Sequence, residues 1–178
     1  SYHFTSLALS GELKALLPQL EEAAQDAGAR NNPGASLAAL SGEAAVAWIA
    51  ADRSDEAERG CRRAVSATAS GSMRWPENSY RSQHYVALVA GLHTAHYRGE
   101  PLVAWRSITA DWPLLKRAFI LPLRWSSVQL RYARARAALA LADRLRRGLA
   151  AGNDGEDCPS RAELVRDAER QLRWLRRD

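Results

Sequence analysis

The sequence predicts an all-α fold of repeated helix pairs, and three observations support this prediction. Ala, Leu and Arg are prominent among the 178 residues, 47% of which are hydrophobic. No stretch shows the alternation of β-branched and aromatic residues that strands favour. A short pattern recurs at Gly11, Asp52 and Gly99. In each copy, a small or turn-forming residue is followed, after four residues, by a position that opens a second amphipathic helix. These copies lie 41 and 47 residues apart, a period typical of helical repeat proteins.

The first half of the chain is predicted to contain four helices. Ser10 can cap the second of them, in which Pro18 should cause a kink or a restart because proline lacks an N–H. Ser54 can cap the fourth, where Asp55 and Glu56 suit the positive end of the helix dipole. Hydrophobic spacing near 3.6 residues places these helices at about 1–9, 11–27, 35–50 and 55–69.

Prolines and a serine mark the predicted helices of the second half. Pro101 suits a helix start, Pro113 is expected to open the next helix, and Pro122 is expected to perturb that helix. Ser160 can cap the last helix. The predicted helices cover about 77–98, 101–112, 113–148 and 161–176.

Together the helices predict one module of four antiparallel pairs. Because one pair cannot bury its apolar side alone, stacking of neighbouring pairs supplies the core. The stack is expected to be a short right-handed α-solenoid, whose concave groove is lined by the first helix of each pair and binds a protein or peptide. The chain begins inside a repeat, so we expect it to be part of a longer protein. The predicted pairs are 1–28, 35–69, 77–112 and 113–176.

Charge and cysteine content narrow the class of protein. The net charge is +5, of which residues 1–110 contribute −1 and residues 111–178 contribute +6. The basic second half suits an acidic partner, nucleic acid or an anionic membrane, or simply an Arg-rich solvent-exposed surface. Cys61 and Cys158 are too few and too far apart for a disulfide framework or a zinc site, which favours a reducing cytoplasm. No apolar segment is long enough to span a bilayer.

Several short motifs between residues 83 and 139 occur in a recognisable order. They are His84-Tyr85, Tyr97-Arg98-Gly99, Ala104-Trp105, Trp112-Pro113, Leu115-Lys-Arg117 and Arg134-Ala-Arg136-Ala-Ala-Leu139. This order resembles the tetratricopeptide-like C-terminal region of the large serine/threonine protein kinases of myxobacteria and similar bacteria, over roughly residues 5–150. The resemblance implies tetratricopeptide-like helix pairs that bind partners and regulate a linked kinase domain.

The sequence lacks the motifs of phosphoryl transfer. A kinase needs a Gly-rich loop, a strand lysine and the HRD and DFG motifs, and a nucleotide-binding P-loop needs GxxxxGK[ST]. None occurs, and lysine is found only at Lys14 and Lys116. We therefore predict a noncatalytic interaction and regulatory module without a cofactor. The alternatives are a repeat region of a signalling ATPase or transcriptional regulator, a free-standing adaptor, and a small all-α enzyme with an interior site.

Two histidines have a spacing that can hold a metal ion. His93 and His96 share one face of a predicted helix, but a metal site needs a third ligand. The nearest candidate, His84, lies roughly on the opposite face. We therefore predict no metal site, and we interpret these histidines as ordinary, partly exposed side chains.

A row of arginines and one tryptophan are the candidate contacts with a partner. Arg124, Arg131 and Arg134 follow one side of a predicted helix, where they suit carboxylates or phosphates, or else cover apolar surface with their stems. Trp75 lies in a loop, where it either contacts a partner or covers a helix end. Nucleic acid is not expected, because neither interleaved aromatic residues nor a known reader motif is present. The predicted partner-binding residues are Arg81, His84, Arg124, Arg131, Arg134 and Trp75.

Overall fold

The computed structural model describes residues 2–69, 81–149 and 158–176, and this part of the chain forms helices and no strand. The predicted all-α class is therefore confirmed. No helix among these residues is long and apolar enough to cross a membrane. Contacts within the chain divide it into two compact units, residues 1–97 and 98–178.

The first unit packs short helices around an apolar core. Its helices are α1 (Tyr2–Leu9), α2 (Leu13–Ala29), α3 (Pro33–Leu40), α4 (Ala45–Ala50), α5 (Ser54–Ala69) and α6 (Ser82–Tyr97). Leu16 and Leu20 of α2 are fully buried in this core, together with most of Trp48 of α4. The buried indole N–H of Trp48 needs an acceptor, which the carbonyl oxygen of Ala39 supplies at 3.1 Å.

The continuous helix predicted over 35–50 is wrong, because the chain breaks at Ser41 and Gly42. Ser41 is extended, with φ −136° and ψ −177°, and its hydroxyl donates to the carbonyl oxygen of Leu37 at 2.5 Å. Gly42 follows with φ +61°, a conformation that glycine adopts without the steric cost of a side chain. A short 3₁₀ turn, Gly42–Ala44, then leads into α4.

The second unit consists, in its described residues, of three helices. They are α7 (Pro101–Arg117), α8 (Arg124–Arg146) and α9 (Arg161–Leu175). Small and branched side chains of α8, such as Ala138 and Leu141, are buried against Leu102 of α7 and Leu164 of α9. The helices α7 and α9 therefore both pack against α8.

Pro101 begins α7 as predicted, but Pro113 acts differently from the prediction. Pro113 does not open a helix, because α7 runs through it to Arg117, and α2 likewise runs through Pro18. An internal proline costs about 3 kcal/mol through the lost hydrogen bond and a clash. Burial of Trp112 and Leu115 beside Pro113 offsets this cost, since each large buried side chain contributes about 1.5–3 kcal/mol. The chain turns only after Arg117.

The unit boundary separates two helices that the sequence pattern pairs. The predicted pair 77–112 contains α6, which packs in the first unit, and α7, which packs in the second. The predicted start of that pair, at 77–80, lies outside the described residues. The expectation of one module covering 1–178 remains a prediction.

Candidate partner-binding site

An open groove of about 720 Å³ lies on the first unit, between α2, the start of α3 and α5. Leu40 and Ala64 give it apolar surface, and Trp48 contributes to the lining. Alanine, glycine and proline residues of the lining add to this apolar surface, and the other lining residues are polar or charged, so the groove combines hydrogen-bonding groups with apolar surface. This combination is typical of sites that hold a ligand in one orientation.

Arg53 forms a fixed, charged wall of the groove. Its guanidinium donates to both carboxylate oxygens of Glu56, at 3.0 and 2.8 Å, and also pairs with Glu21 of α2. The same group lies 4.9 Å from the ring centroid of Trp48, within the range of a cation–π contact. These contacts raise the pKa of Arg53, with the hydrogen bonds to Glu56 as the largest cause, and lower the pKa of Glu56. Arg53 therefore joins α2 to α5 and is already occupied.

Two arginines of α5 are exposed along the groove. Arg59 and Arg63 are four residues apart and therefore share one face of α5. The positive charge of Arg59 helps to lower the pKa of Glu56, but no carboxylate of the described residues forms an ion pair with Arg63. These two guanidinium groups can donate paired hydrogen bonds to carboxylates or phosphates.

The α2 and α3 side of the groove carries uncharged hydrogen-bonding groups beside the Glu21 carboxylate, which pairs with Arg53. Gln25 of α2 and Ser36 of α3 line it, with Asn32 at the start of α3. The Asn32 side-chain oxygen accepts from the backbone N–H of Ala35 at 3.0 Å and thereby caps α3. Because Arg53 pairs with Glu21 and Glu56, the exposed arginines of α5 remain as the positive groups of the lining. Together with the amide groups, they suit an extended peptide with acidic side chains, because amides can bond its backbone.

Arg131 and Arg134, two of the predicted contact residues, lie instead between α8 and α9. The Arg131 guanidinium lies 4.3 Å from the ring centroid of Trp174 and 5.5 Å from that of Trp112. It donates to the side-chain oxygen of Gln171 at 2.9 Å and to the hydroxyl of Ser127 at 3.2 Å. Burial is the main cause that lowers its pKa. Its donors therefore serve contacts inside the second unit.

Arg134 makes the most deeply buried ion pair among the described residues. Its Nε lies 2.7 Å from Oδ2 of Asp167, with side chains that are only 12% and 5% exposed. The other oxygen of Asp167 accepts from Gln171 at 3.1 Å. The guanidinium also lies 4.5 Å from the ring centroid of Trp112. This network joins all three helices of the second unit.

The remaining predicted contact residues occupy different places. Arg124 is exposed at the first position of α8. Arg81 and His84 are half-buried at the start of α6, where the Arg81 backbone N–H donates to Nδ1 of His84 at 3.1 Å. Trp75 lies outside the described residues. Arg81 and His84 thus belong to the first unit, and the three arginines of α8 belong to the second.

The sequence prediction missed Arg53, Arg59 and Arg63. The spacing of Arg59 and Arg63 is a readable sign of a basic helix face. The partner of Arg53, Glu21, lies 32 residues earlier in the chain, so local spacing could not reveal that contact.

Metal and thiol chemistry have little support in the described part of the chain. There, no three His, Cys, Asp or Glu side chains are grouped to hold a metal ion. Burial raises the pKa of the Cys61 thiol to about 11, which keeps it protonated at neutral pH. Comparison of the chain with models of known protein families, with curated proteins and with solved structures found no match.

Proposed function

We propose that the chain is a noncatalytic protein-interaction module, and that the groove of the first unit binds an extended, acidic peptide segment of a partner protein. The groove is the observation that carries this proposal. Arg59 and Arg63 would pair with two acidic side chains of the peptide, while Gln25 and Asn32 would bond its backbone. Charge-assisted, bidentate hydrogen bonds of this kind are among the stronger polar contacts in proteins.

The larger setting of the module is also a proposal. We propose a short right-handed, tetratricopeptide-like solenoid that regulates a bacterial serine/threonine protein kinase in the cytoplasm. The order of motifs from His84-Tyr85 to Leu139 supports this setting through its resemblance to the repeat regions of such kinases. The alternatives are a repeat region of a signalling ATPase or transcriptional regulator, and a free-standing adaptor.

A peptide selection tests the groove. A displayed library of random twelve-residue peptides is selected on the whole chain and counter-selected on the double variant Arg59→Glu with Arg63→Glu. We expect enriched peptides to be rich in Asp and Glu and to bind the double variant at least about tenfold more weakly, because two charge-assisted contacts are lost. Arg62→Glu is the matched control, since Arg62 is exposed on the same helix but does not line the groove.

Two results would count against the groove. One is enrichment of peptides without acidic residues, and the other is equal affinity for the chain and the double variant. The kinase setting has its own test, which is the mass of the native polypeptide captured by antibody from its own cells. A species that also yields kinase-domain peptides supports the setting, whereas a species near 19.6 kDa supports a free-standing adaptor.

A further inference from the structure

An apolar stripe runs along the outer side of α8, in the second unit. Trp125 and Tyr132 are 55% and 59% exposed, and Val128 and Leu139 are 40% and 46% exposed. Residues seven apart on a helix drift by only about 20°, so Trp125, Tyr132 and Leu139 share one face. We call Trp125, Val128, Tyr132 and Leu139 the α8 stripe.

The α8 stripe is not part of the packing inside the second unit. The buried side chains of α8, among them Ala138 and Leu141, point to α7 and α9 instead. The exposed stripe amounts to on the order of 400 Å², which is within the range of the largest apolar patches on soluble monomers. Patches of that size commonly mark interaction sites. Its i, i+3, i+7 spacing matches the way in which an amphipathic helix lies against a partner helix.

Positive charge surrounds the stripe. Arg136 is exposed on the same face, between Tyr132 and Leu139, and no carboxylate of the described residues forms an ion pair with it. Arg124 precedes Trp125 at the start of the helix. The acidic residue of this face, Asp143, is already bound by two arginines, which lower its pKa. In the described part of the chain, the Asp143 carboxylate is thus already paired, and the exposed Arg136 is the positive group that an approaching partner meets beside the stripe.

The whole second unit has the same sign of charge. Residues 98–178 carry 17 Lys and Arg against 10 Asp and Glu, a net charge of +7. Residues 1–97 carry 8 against 10, a net charge of −2. A partner with an acidic surface is therefore attracted to the second unit, and a basic partner is repelled.

We propose that the α8 stripe binds an acidic amphipathic helix of a partner protein. The apolar side chains of that helix would cover Trp125 and Tyr132, and its flanking carboxylates would pair with Arg136. A second copy of this chain fits less well, because its second unit carries the same net positive charge and would be repelled. This surface is distinct from the groove of the first unit, and the proposal does not depend on that groove.

A second selection tests the stripe. The displayed library consists of twenty-residue helical peptides, with apolar positions at i, i+3, i+7 and i+10 and the remaining positions free to be acidic, neutral or basic. It is selected on the whole chain and counter-selected on Trp125→Ser with Tyr132→Ser. Both residues are exposed, so this double variant should fold normally, as far-UV circular dichroism will check.

The expected winners are peptides of net negative charge. Truncation of a central aromatic contact commonly costs an interface tenfold or more in affinity, so we expect at least that loss with the double variant. Arg136→Glu should weaken the binding of the same peptides, and the loss of affinity should grow as the salt concentration is lowered, because the new carboxylate repels the acidic peptide. Val103→Ser with Leu172→Ser, and Arg161→Glu, are the matched controls at exposed positions outside the stripe and should change nothing.

Three outcomes would overturn the proposal. The first is no enrichment on the chain over the double variant, and the second is enrichment of neutral or basic peptides. The third is a dimer of the chain in analytical ultracentrifugation that the double variant abolishes, which would assign the stripe to a second copy. Loss of binding at Arg59→Glu with Arg63→Glu concerns only the groove, so the two surfaces are tested separately.

Discussion

At the scale of single residues, Arg134 and Asp167 show how position decides the role of a charge. Both side chains are nearly buried, and Asp167 also accepts from Gln171, so neither charge is left without a partner. A buried pair contributes little net stability compared with an apolar pair, but removal of one member leaves a buried charge unpaired. The pair therefore acts mainly to fix which residues of α8 and α9 meet.

We predict that Asp167→Ala destabilises the second unit by about 3–5 kcal/mol, because it leaves the Arg134 guanidinium buried without a carboxylate. The measurement is urea unfolding followed by circular dichroism, with hydrogen exchange of α8 and α9 amides to locate the loss. Glu169→Ala is the control on the same helix, where an exposed pair with Arg173 is worth less than about 1 kcal/mol.

Replacement of both partners tests whether the loss of stability comes from the unpaired buried charge of Arg134. Arg134→Met with Asp167→Leu should recover most of the stability, because no charge is then buried. Equal losses for Asp167→Ala and Glu169→Ala would contradict the buried-pair argument.

The sequence indicates this arginine row but not its surroundings. The spacing of Arg131 and Arg134 correctly puts them near one side of α8. Whether that side faces solvent depends on α9, which begins about thirty residues later and brings Asp167, Gln171 and Trp174 against it. Helical spacing alone carries no information about such a distant segment, so an interior network and an exposed stripe look the same in sequence.

At the scale of helices, the start of α9 is where sequence and structure agree best. The sequence predicts Ser160 as the cap, and its hydroxyl accepts from the backbone N–H of Glu163 at 3.3 Å. The Glu163 carboxylate in return accepts from the Ser160 backbone N–H at 2.8 Å, which completes a capping box. The prediction succeeds because a cap is a contact between residues three apart, which sequence displays directly.

We predict that Ser160→Ala lowers the free energy of local unfolding of the first turn of α9 by about 1 kcal/mol, which corresponds to roughly fivefold faster amide exchange there. Ser160→Asp should retain protection, because its carboxylate can accept the same N–H. No difference in exchange between Ser160→Ala and the original chain would refute the cap as a source of stability.

The same cap makes α9 sensitive to acid. Hydrogen bonds from Ser160 lower the pKa of Glu163, so its contribution is present above the pKa of an unfolded glutamate. The contribution is lost as the pH falls through the lower, folded value. Glu163→Gln keeps the hydrogen-bonding pattern and should remove this part of the pH dependence.

Two helical glycines provide a test of helix packing. An ideal Cβ at Gly60 of α5 would lie 2.5 Å from Cδ1 of Leu40, whereas one at Gly91 of α6 would meet nothing within 4 Å. We predict that Gly91→Ala stabilises the chain by about 0.5–1 kcal/mol through helix propensity. Gly60→Ala should lose that gain to overpacking, which costs about 1–3 kcal/mol. Thermal unfolding of both variants checks this, and equal stabilisation would disprove close packing of Leu40 on α5.

Helix breaks are harder to predict than helix caps. Ser41 lies in a run of Ala and Leu whose spacing suits one helix, and the break depends on Gly42 and on a local hydrogen bond of Ser41. Pro113 gives the opposite error, because the cost of a proline is visible in the local sequence, whereas the burial that offsets it depends on packing against α8. In both places tertiary packing or a single backbone conformation outweighs helix propensity.

At the scale of the whole molecule, the two units differ in charge more than the total of +5 suggests. The first unit carries −2 and the second +7. The amino-acid sequence alone reveals that its two halves differ in charge, because counting charged residues requires no knowledge of contacts. The groove, in contrast, depends on α2, α3 and α5 being brought together by the fold, and the sequence pattern does not reveal it.

We predict that position, rather than total charge, controls how the chain binds an anionic surface. Arg136→Glu and Arg30→Glu both lower the net charge from +5 to +3, and both residues are exposed. Arg136 lies in the basic second unit, so Arg136→Glu should leave a cation-exchange column at pH 7 at lower salt than Arg30→Glu does. Elution of both variants at the same salt concentration would show that the surface charge is evenly distributed, and the attraction of an acidic helix to α8 would then lose its electrostatic basis.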